Sequence, residues 1–277
     1  MIIVDYSRLA IAGIMSQLKG SKEIEVDLAR HFLLNMIRSI NSKHRNEYGE
    51  LILAIDSRKY WRKEVFPYYK ANRKKARDES GFDWAGLFNA MQTIKEELVE
   101  TFPYKVIEVE RAEADDIIGA LCKEYGNTNE KILIVATDSD YNQLLHYMNV
   151  NQLCPLKGKM VQANAKEALI NKIIKGDKKD GVPSIKQDDN ALVLGTRAPP
   201  INQAFIAELK AMKDDHGKYE RNWKRNEQLL DLEYIPDDLY NEIIKSVNEY
   251  PVKNKAGLMD YFAKHKLRNL FDKLHDF

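Results

Sequence analysis

Three short apolar runs in this chain each end on an aspartate. Ile2-Ile3-Val4 leads into Asp5, Leu53-Ala54-Ile55 into Asp56, and Ile132 to Thr137 into Asp138. Runs this short and this uniformly apolar suit strands buried on both faces. Tyr104 to Val109 and Val150 to Leu153 have the same character, and helix-period segments separate the five: Val26 to Lys43, Phe82 to Thr101, Asp115 to Tyr125 and Tyr141 to Tyr147. Such alternation implies an α/β fold over residues 1–163, a mostly parallel central sheet flanked by helices. Ligands of these sheets gather beyond the carboxyl ends of the strands. After Gln162 helical patterns follow one another at Ala165 to Lys175, Ala204 to Met212, Pro236 to Tyr250 and Gly257 to Lys264. Residues 164–277 are therefore expected to form a helical subdomain, with a loop around Pro199-Pro200.

One aspartate after a strand is ordinarily a turn or cap residue. Three of them at strand ends of one parallel sheet would line the same edge. A second cluster, Glu113-Ala114-Asp115-Asp116, opens a helix after the Tyr104 to Val109 run. Glu113 and Asp116, three apart, share a helical face, and capping needs one acid rather than three. Asp138 is followed by Asp140, and Asp177 and Asp180 stand three apart in a turn between helices. These nine carboxylates would repel by about 4 kcal/mol per close pair at an effective dielectric near 20. A hard divalent cation with oxygen ligands removes that cost, which points to Mg²⁺, in two sites, with Mn²⁺ able to substitute. The six histidines are scattered, and Cys122 and Cys154 form no metal or redox pattern, so zinc is disfavoured and the thiols read as core residues of a reducing, cytoplasmic protein. No apolar run reaches a membrane span, and Met1 to Asp5 reads as a strand rather than a signal peptide.

Basic and acidic residues nearly cancel, 43 against 42, so only their distribution informs. Between Arg58 and Arg77 stand nine basic residues (Arg58, Lys59, Arg62, Lys63, Lys70, Arg73, Lys74, Lys75, Arg77) against one acid, Glu64, interleaved with Tyr60, Trp61, Phe66, Tyr68 and Tyr69. Cations can track phosphates and rings can stack on unpaired bases. Pro67 divides the segment, giving expected helices at Lys59 to Val65 and Tyr69 to Arg77 in a mobile lid over residues 58–80.

With these motifs in hand, the chain resembles the 5′-nuclease (flap endonuclease) family, and within it the ribonuclease H group of T-even-type bacteriophages. The resemblance runs the whole length and is carried by Glu113-Ala-Asp-Asp116, Thr137-Asp-Ser-Asp140, Tyr69-Lys-Ala-Asn-Arg73 and Gly176-Asp-Lys-Lys-Asp180, together with Asp5 and Asp56. It implies a PIN-like 5′-nuclease fold with a helical arch, and a Mg²⁺-dependent 5′-to-3′ exonuclease and flap endonuclease. The implied substrates are RNA–DNA and DNA–DNA duplexes with 5′ ends, flaps or forks, as in removing RNA primers during phage replication. It further implies that Asp5, Asp56, Asp116 and Asp138 surround one metal, with Glu113 and Asp115 nearby. Asp140, Asp177 and Asp180 would hold the other, Lys70 and Arg73 would face the scissile phosphate, and Tyr69 would orient the nucleotide. Arg58, Tyr60, Trp61, Arg62, Lys63, Lys74 and Arg77 would contact nucleic acid. A monomer working with a single-strand-binding protein and a sliding clamp, in the bacterial host cytoplasm, is the implied setting.

One stretch departs. Where the family continues with two further glycines and Lys-Thr-Ala, a turn that grips duplex phosphate and often K⁺, this chain reads Asp180-Gly-Val-Pro-Ser-Ile-Lys-Gln-Asp-Asp189. Lys178, Lys179 and Lys186 are expected to meet phosphates there instead. Two other readings fit part of the pattern: a PIN-like endoribonuclease, which needs neither arch nor helical half, and a scaffold that binds branched DNA without cutting, which leaves the clustered acids unexplained.

Overall fold

The computed structural model describes residues 1–17, 24–212 and 216–277. Six strands form one sheet: β1 (Ile2–Asp5), β2 (Leu51–Ile55), β3 (Lys105–Glu108), β4 (Ile132–Val135), β5 (Val150–Cys154) and β6 (Lys159–Met160), in the order β3-β2-β1-β4-β5-β6. The first five are parallel, and the two-residue β6 joins β5 antiparallel at the edge. The chain builds outward from β1 to β3, then crosses back to place β4 on the other side of β1. That reversal opens a crevice at the carboxyl ends of β1, β2 and β4.

The helices are α1 (Tyr6–Gln17), α2 (Val26–Tyr48), α3 (Trp61–Val65), α4 (Arg73–Glu79), α5 (Trp84–Thr101), α6 (Ala114–Tyr125), α7 (Ala165–Lys175), α8 (Gln203–Ala211), α9 (Glu220–Leu230), α10 (Asp237–Asn248), α11 (Leu258–Lys264) and α12 (Arg268–Phe271). Alternate strand residues feed two cores. Ile2, Val4, Leu53 and Leu133 pack with α1, α2, α5 and the C-terminal Leu258, Phe262 and Phe277. Ile3, Ile52, Ile107 and Ile134 pack with α6 and with Leu239, Ile243 and Val247 of α10. The C-terminal helices thus cover both faces of the N-terminal sheet, while α7, α8 and α9 gather around Ile173, Ile174, Ile206 and Trp223 in a cluster of their own.

The fold class is as the sequence implies, and the differences are local. α1 is an additional helix, burying Tyr6, Leu9, Ala10, Gly13 and Ile14 at helical spacing. α9 is a second, hidden because its buried face includes Asn226 beside Trp223, Leu229 and Leu230. The segment Ser139–His146 is a 3₁₀ helix. In the arch the helices are shorter than expected: Phe66 is extended, and Lys70 takes a left-handed backbone (φ 55°), so Tyr68 to Asn72 turns instead of coiling.

Candidate metal and nucleic-acid site

Each strand-end aspartate uses one carboxylate oxygen to fix the backbone that follows. Asp5 Oδ1 accepts from the Arg8 amide at 2.9 Å, Asp56 Oδ1 from the Ala114 amide at 2.9 Å, and Asp138 Oδ1 from the Asp140 amide at 3.2 Å. These bonds satisfy orphan donors at turns and helix starts, and they also set where the other oxygen points. Asp5 Oδ2 accepts from the Tyr141 hydroxyl at 2.8 Å, and Asp115 Oδ1 lies 2.5 Å from that same hydroxyl. Burial, reinforced by Asp56 and Asp115, pushes the Asp5 carboxyl up to about 8. Asp5, Asp56 and Asp115 therefore form one crowded group, with Asp138 beside it on Arg8 Nη2 at 2.5 Å.

Asp140, Asp177 and Asp180 form a second group, each offering an oxygen within 4.8 Å of the others. The turn that carries two of them closes through backbone bonds between Asp177 and Val182, 2.8 Å each way. Lys172, from α7, pairs with Asp140 and reaches Asp177 at 3.4 Å. Burial still pushes Asp140 up to about 7, with Asp138 and Asp115 adding to it against Lys172. Burial would raise Asp180 as well, but Lys70, Arg73 and Lys172 outweigh it and hold that carboxyl far below its ordinary range.

Both groups are all-oxygen; burial first, then neighbouring carboxylates, raise Asp5 and Asp140, whereas Lys70, Arg73 and Lys172 outweigh burial at Asp180. A hard divalent cation suits that donor set.

Asp116 does not join them. It is fully buried, with Oδ1 taken by the Trp61 indole N–H at 3.1 Å and Arg62 Nη1 at 2.8 Å, and Oδ2 by the Glu113 amide at 2.8 Å. On the first turn of α6 adjacent side chains diverge by about 100°, and it is Asp115 that turns to Asp5. Glu113 is also buried and held, by Arg62 at 3.1 Å, the Tyr69 hydroxyl at 2.9 Å and Lys70.

The basic segment divides. Trp61, Arg62 and Tyr69 are at most 2% exposed, so the expectation that they meet nucleic acid is corrected: they anchor the arch to α6. With Phe66 and Tyr69 packed on Val182, Leu229 and Leu230, the lid is seated through Tyr69 rather than free along its length. Lys70 and Arg73 point at Glu113 and Asp180. Arg58, Lys63, Lys74, Lys178 and Lys179 are exposed, Tyr60 and Arg77 partly so. Lys186 stands 3.7 Å over the Phe205 ring and donates to the Pro200 carbonyl at 3.0 Å, in the α7–α9 cluster.

Residues 1–173 match the family of 5′-3′ exonuclease N-terminal, resolvase-like domains, and residues 163–277 match the T4 RNase H C-terminal family. The chain belongs to the 5′-3′ exonuclease family. It is 32% identical to the ribonuclease H of Enterobacteria phage T4, over 99% of this chain and 95% of that one. A 5′-3′ exonuclease of Buchnera aphidicola is 27% identical over 55% of this chain and 54% of its own. Among solved structures, the T5 D15 protein co-crystallised with metal ions superimposes with a TM-score of 0.63 at 19% identity, covering 90% of this chain and 98% of that one. The zinc-bound T5 5′-exonuclease gives 0.64 at 17%, again over 90% and 98%. This exonuclease is thus a nuclease by descent. Its site includes three residues that sequence reasoning passed over. Arg8, Tyr141 and Lys172 lie in ordinary helical text, and only the fold brings them to the carboxylates.

Proposed function

We propose that the protein is a divalent-metal-dependent 5′-to-3′ exonuclease and flap endonuclease that hydrolyses phosphodiesters of RNA–DNA and DNA–DNA duplexes, removing RNA primers during phage replication in the host cytoplasm. The observation that carries this reading is the pair of carboxylate groups at one sheet edge beneath a cationic arch. In this reading residues 1–163 supply the arch and most of the carboxylates, and residues 164–277 add Asp177 and Asp180 to the site along with the duplex platform. No helix among the described residues is long and apolar enough to cross a membrane.

Asp5, Asp56, Asp115 and Asp138 would hold one ion, and Asp140, Asp177 and Asp180 the other, Mg²⁺ being the natural choice and Mn²⁺ a substitute. Bound there, such ions supply charge neutralisation at the scissile phosphate and an acidified water. Tyr141 keeps Asp5 and Asp115 oriented toward each other. Lys70 and Arg73 stabilise charge developing on the phosphate oxygens. Asp116 and Glu113 hold the arch at its working height through Trp61, Arg62 and Tyr69.

A 5′-labelled RNA/DNA hybrid incubated in Mg²⁺ or in EDTA tests the reading. Short labelled products are expected in Mg²⁺ only; equal activity in both, or none in either, overturns it. Asp138→Asn is expected to cut at least a hundredfold more slowly while binding duplex as tightly as the wild type, by fluorescence anisotropy.

A further inference from the structure

At the β6 edge of the sheet a groove of about 470 Å³ runs between α2 and the β5–β6 hairpin, lined by no residue of the arch or of either carboxylate group. Phe32, Met36 and Ile40, at helical spacing on one face of α2, form one wall, and Leu153, Pro155 and Met160 form the other. Ile40 and Leu153 are buried in the first core, whereas Met160 is 42% exposed and Leu156, at the hairpin turn, 55%. The groove thus carries the apolar surface of the core out to solvent.

The strand beside it is open. The Val161 amide donates to the Gln152 carbonyl at 2.8 Å, and Met160 stands opposite Leu153. In the alternating antiparallel pattern the Met160 N–H and C=O therefore point away from β5, to the side where no further strand follows among the described residues. The charge around the groove has one sign. Lys43 on α2 and Lys157 and Lys159 on the hairpin are exposed and form no ion pair with a described residue, and no acid lines the groove. Glu47, one turn beyond Lys43, is taken by Lys131 at 3.0 Å. Lysines on an edge strand keep two such edges from joining, because like charges meet. The same lysines that turn away a second copy of this chain suit a strand that carries acids.

We propose that this edge is a docking site for an extended segment of another protein in which acidic and apolar residues alternate. The segment's backbone pairs with the Met160 N–H and C=O, as in strand addition to an exposed sheet edge. Successive side chains of a strand point to opposite faces, so its apolar residues enter the groove on the side of Leu153 and Met160 while its carboxylates meet Lys159 on the other. Lys43 and Lys157 meet further acids along the groove. Because no lining residue belongs to the hydrolytic crevice, the site recruits a partner without touching the chemistry, and it stands independently of the nuclease reading.

The test uses the full chain and labelled short peptides in three sets: Asp or Glu alternating with Leu, Ile, Val or Phe; the same apolar residues alternating with Lys; and the same acids alternating with Ser. The tightest binders of the first set are expected to exceed every member of the other two by about tenfold or more in fluorescence anisotropy, and to weaken as salt is raised. The double variant Lys157→Glu/Lys159→Glu and the single variant Met160→Asp, all at exposed positions, are each expected to lose about tenfold of that binding, with the circular dichroism spectrum and flap cleavage in Mg²⁺ unchanged. Equal binding of the three sets, or binding untouched by both variants, overturns the proposal. Self-association in sedimentation that Met160→Asp abolishes gives the groove to a second copy and overturns it as well. So does binding of single-stranded DNA that the double variant loses while peptide binding stays intact. Absence of cleavage by the wild type bears on the nuclease reading alone.

Discussion

Asp115 and Asp116 are neighbours in sequence with opposite occupations. Asp116 spends both oxygens on Trp61, Arg62 and the Glu113 amide, deep in the protein, while Asp115 reaches Tyr141 and Asp5. The sequence offered both as candidates, and no rule of spacing could separate them, because which of two adjacent helix-start acids faces a crevice depends on how the helix is rotated on the sheet. The strand-end acids were more legible. Asp5, Asp56 and Asp138 are turn and cap residues, as one would expect of any aspartate there, and the capping bond on one oxygen is what aims the other. Their local role is thus compatible with the metal-binding role proposed for them. The buried Arg62 follows the same logic from the cationic side, pairing Glu113 and Asp116 at 1% exposure or less. Arg62→Met leaves those two acids short of a partner and is expected to cost about 3–5 kcal/mol, checked by urea unfolding. Lys70 still answers Glu113, so the loss should fall toward the lower figure.

The arch illustrates what an element's sequence does and does not disclose. Its charge and its Pro67 break were evident, yet the seating was not. A run of aromatics reads equally well as a stacking surface or as an anchor until its neighbours are known, and those neighbours, Val182, Leu229 and Leu230, come from more than a hundred residues away. Where arch and acidic turn meet, the contact is backbone to backbone: the Lys70 amide donates to the Asp180 carbonyl at 2.7 Å. Gly181 lies under it with φ 72°, and a Cβ there would come within 2.6 Å of the Tyr68 carbonyl. Gly181→Ala is expected to cost about 1–3 kcal/mol through backbone strain and to displace Lys70 from Glu113, slowing cleavage. Gly158→Ala, with φ 61° and open space around the site of the added carbon, is the control that carries the backbone strain without the collision. Equal effects of the two on cleavage would remove the contact from the account. α1 and α9 teach a related lesson. Helical spacing was present in both, but Asn226 in the buried face of α9 is there to donate to the Ile173 and Pro183 carbonyls at 2.7 and 2.9 Å, which apolar periodicity cannot report.

Across the whole molecule, the division at residue 163 marks a change of pattern more than a break in contact. Residues 232–247 and 258–277 complete both cores of the sheet. A fragment of residues 1–163 would expose those faces and is expected to show no cooperative thermal transition, while the full chain melts sharply by circular dichroism. One pin of this closure is titratable. Glu97 on α5 accepts from Arg30 of α2 at 2.7 Å and from the Tyr261 hydroxyl of α11 at 2.7 Å, with His265 at 3.9 Å. Burial alone would raise that carboxyl, but the Arg30 and Tyr261 bonds prevail and hold it below 4.5. A depressed carboxylate contributes stability above its unfolded value and loses it as the pH falls through the folded one. The melting temperature is therefore expected to fall below about pH 4.5, and Glu97→Gln should flatten that part of the profile. The same principle of charges already answered governs the crevice. Arg8 rests on Asp138, Lys172 on Asp140 and Asp177, Lys70 on Glu113, and Arg73 on Asp180. Were divalent ions to occupy these carboxylates as proposed, the protein would act as a small ion exchanger whose counter-ions are its own side chains. Loading would then be a displacement rather than an addition, and Arg8, Lys172 or Arg73 released from Asp138, Asp140, Asp177 or Asp180 would become a cation available to a phosphate.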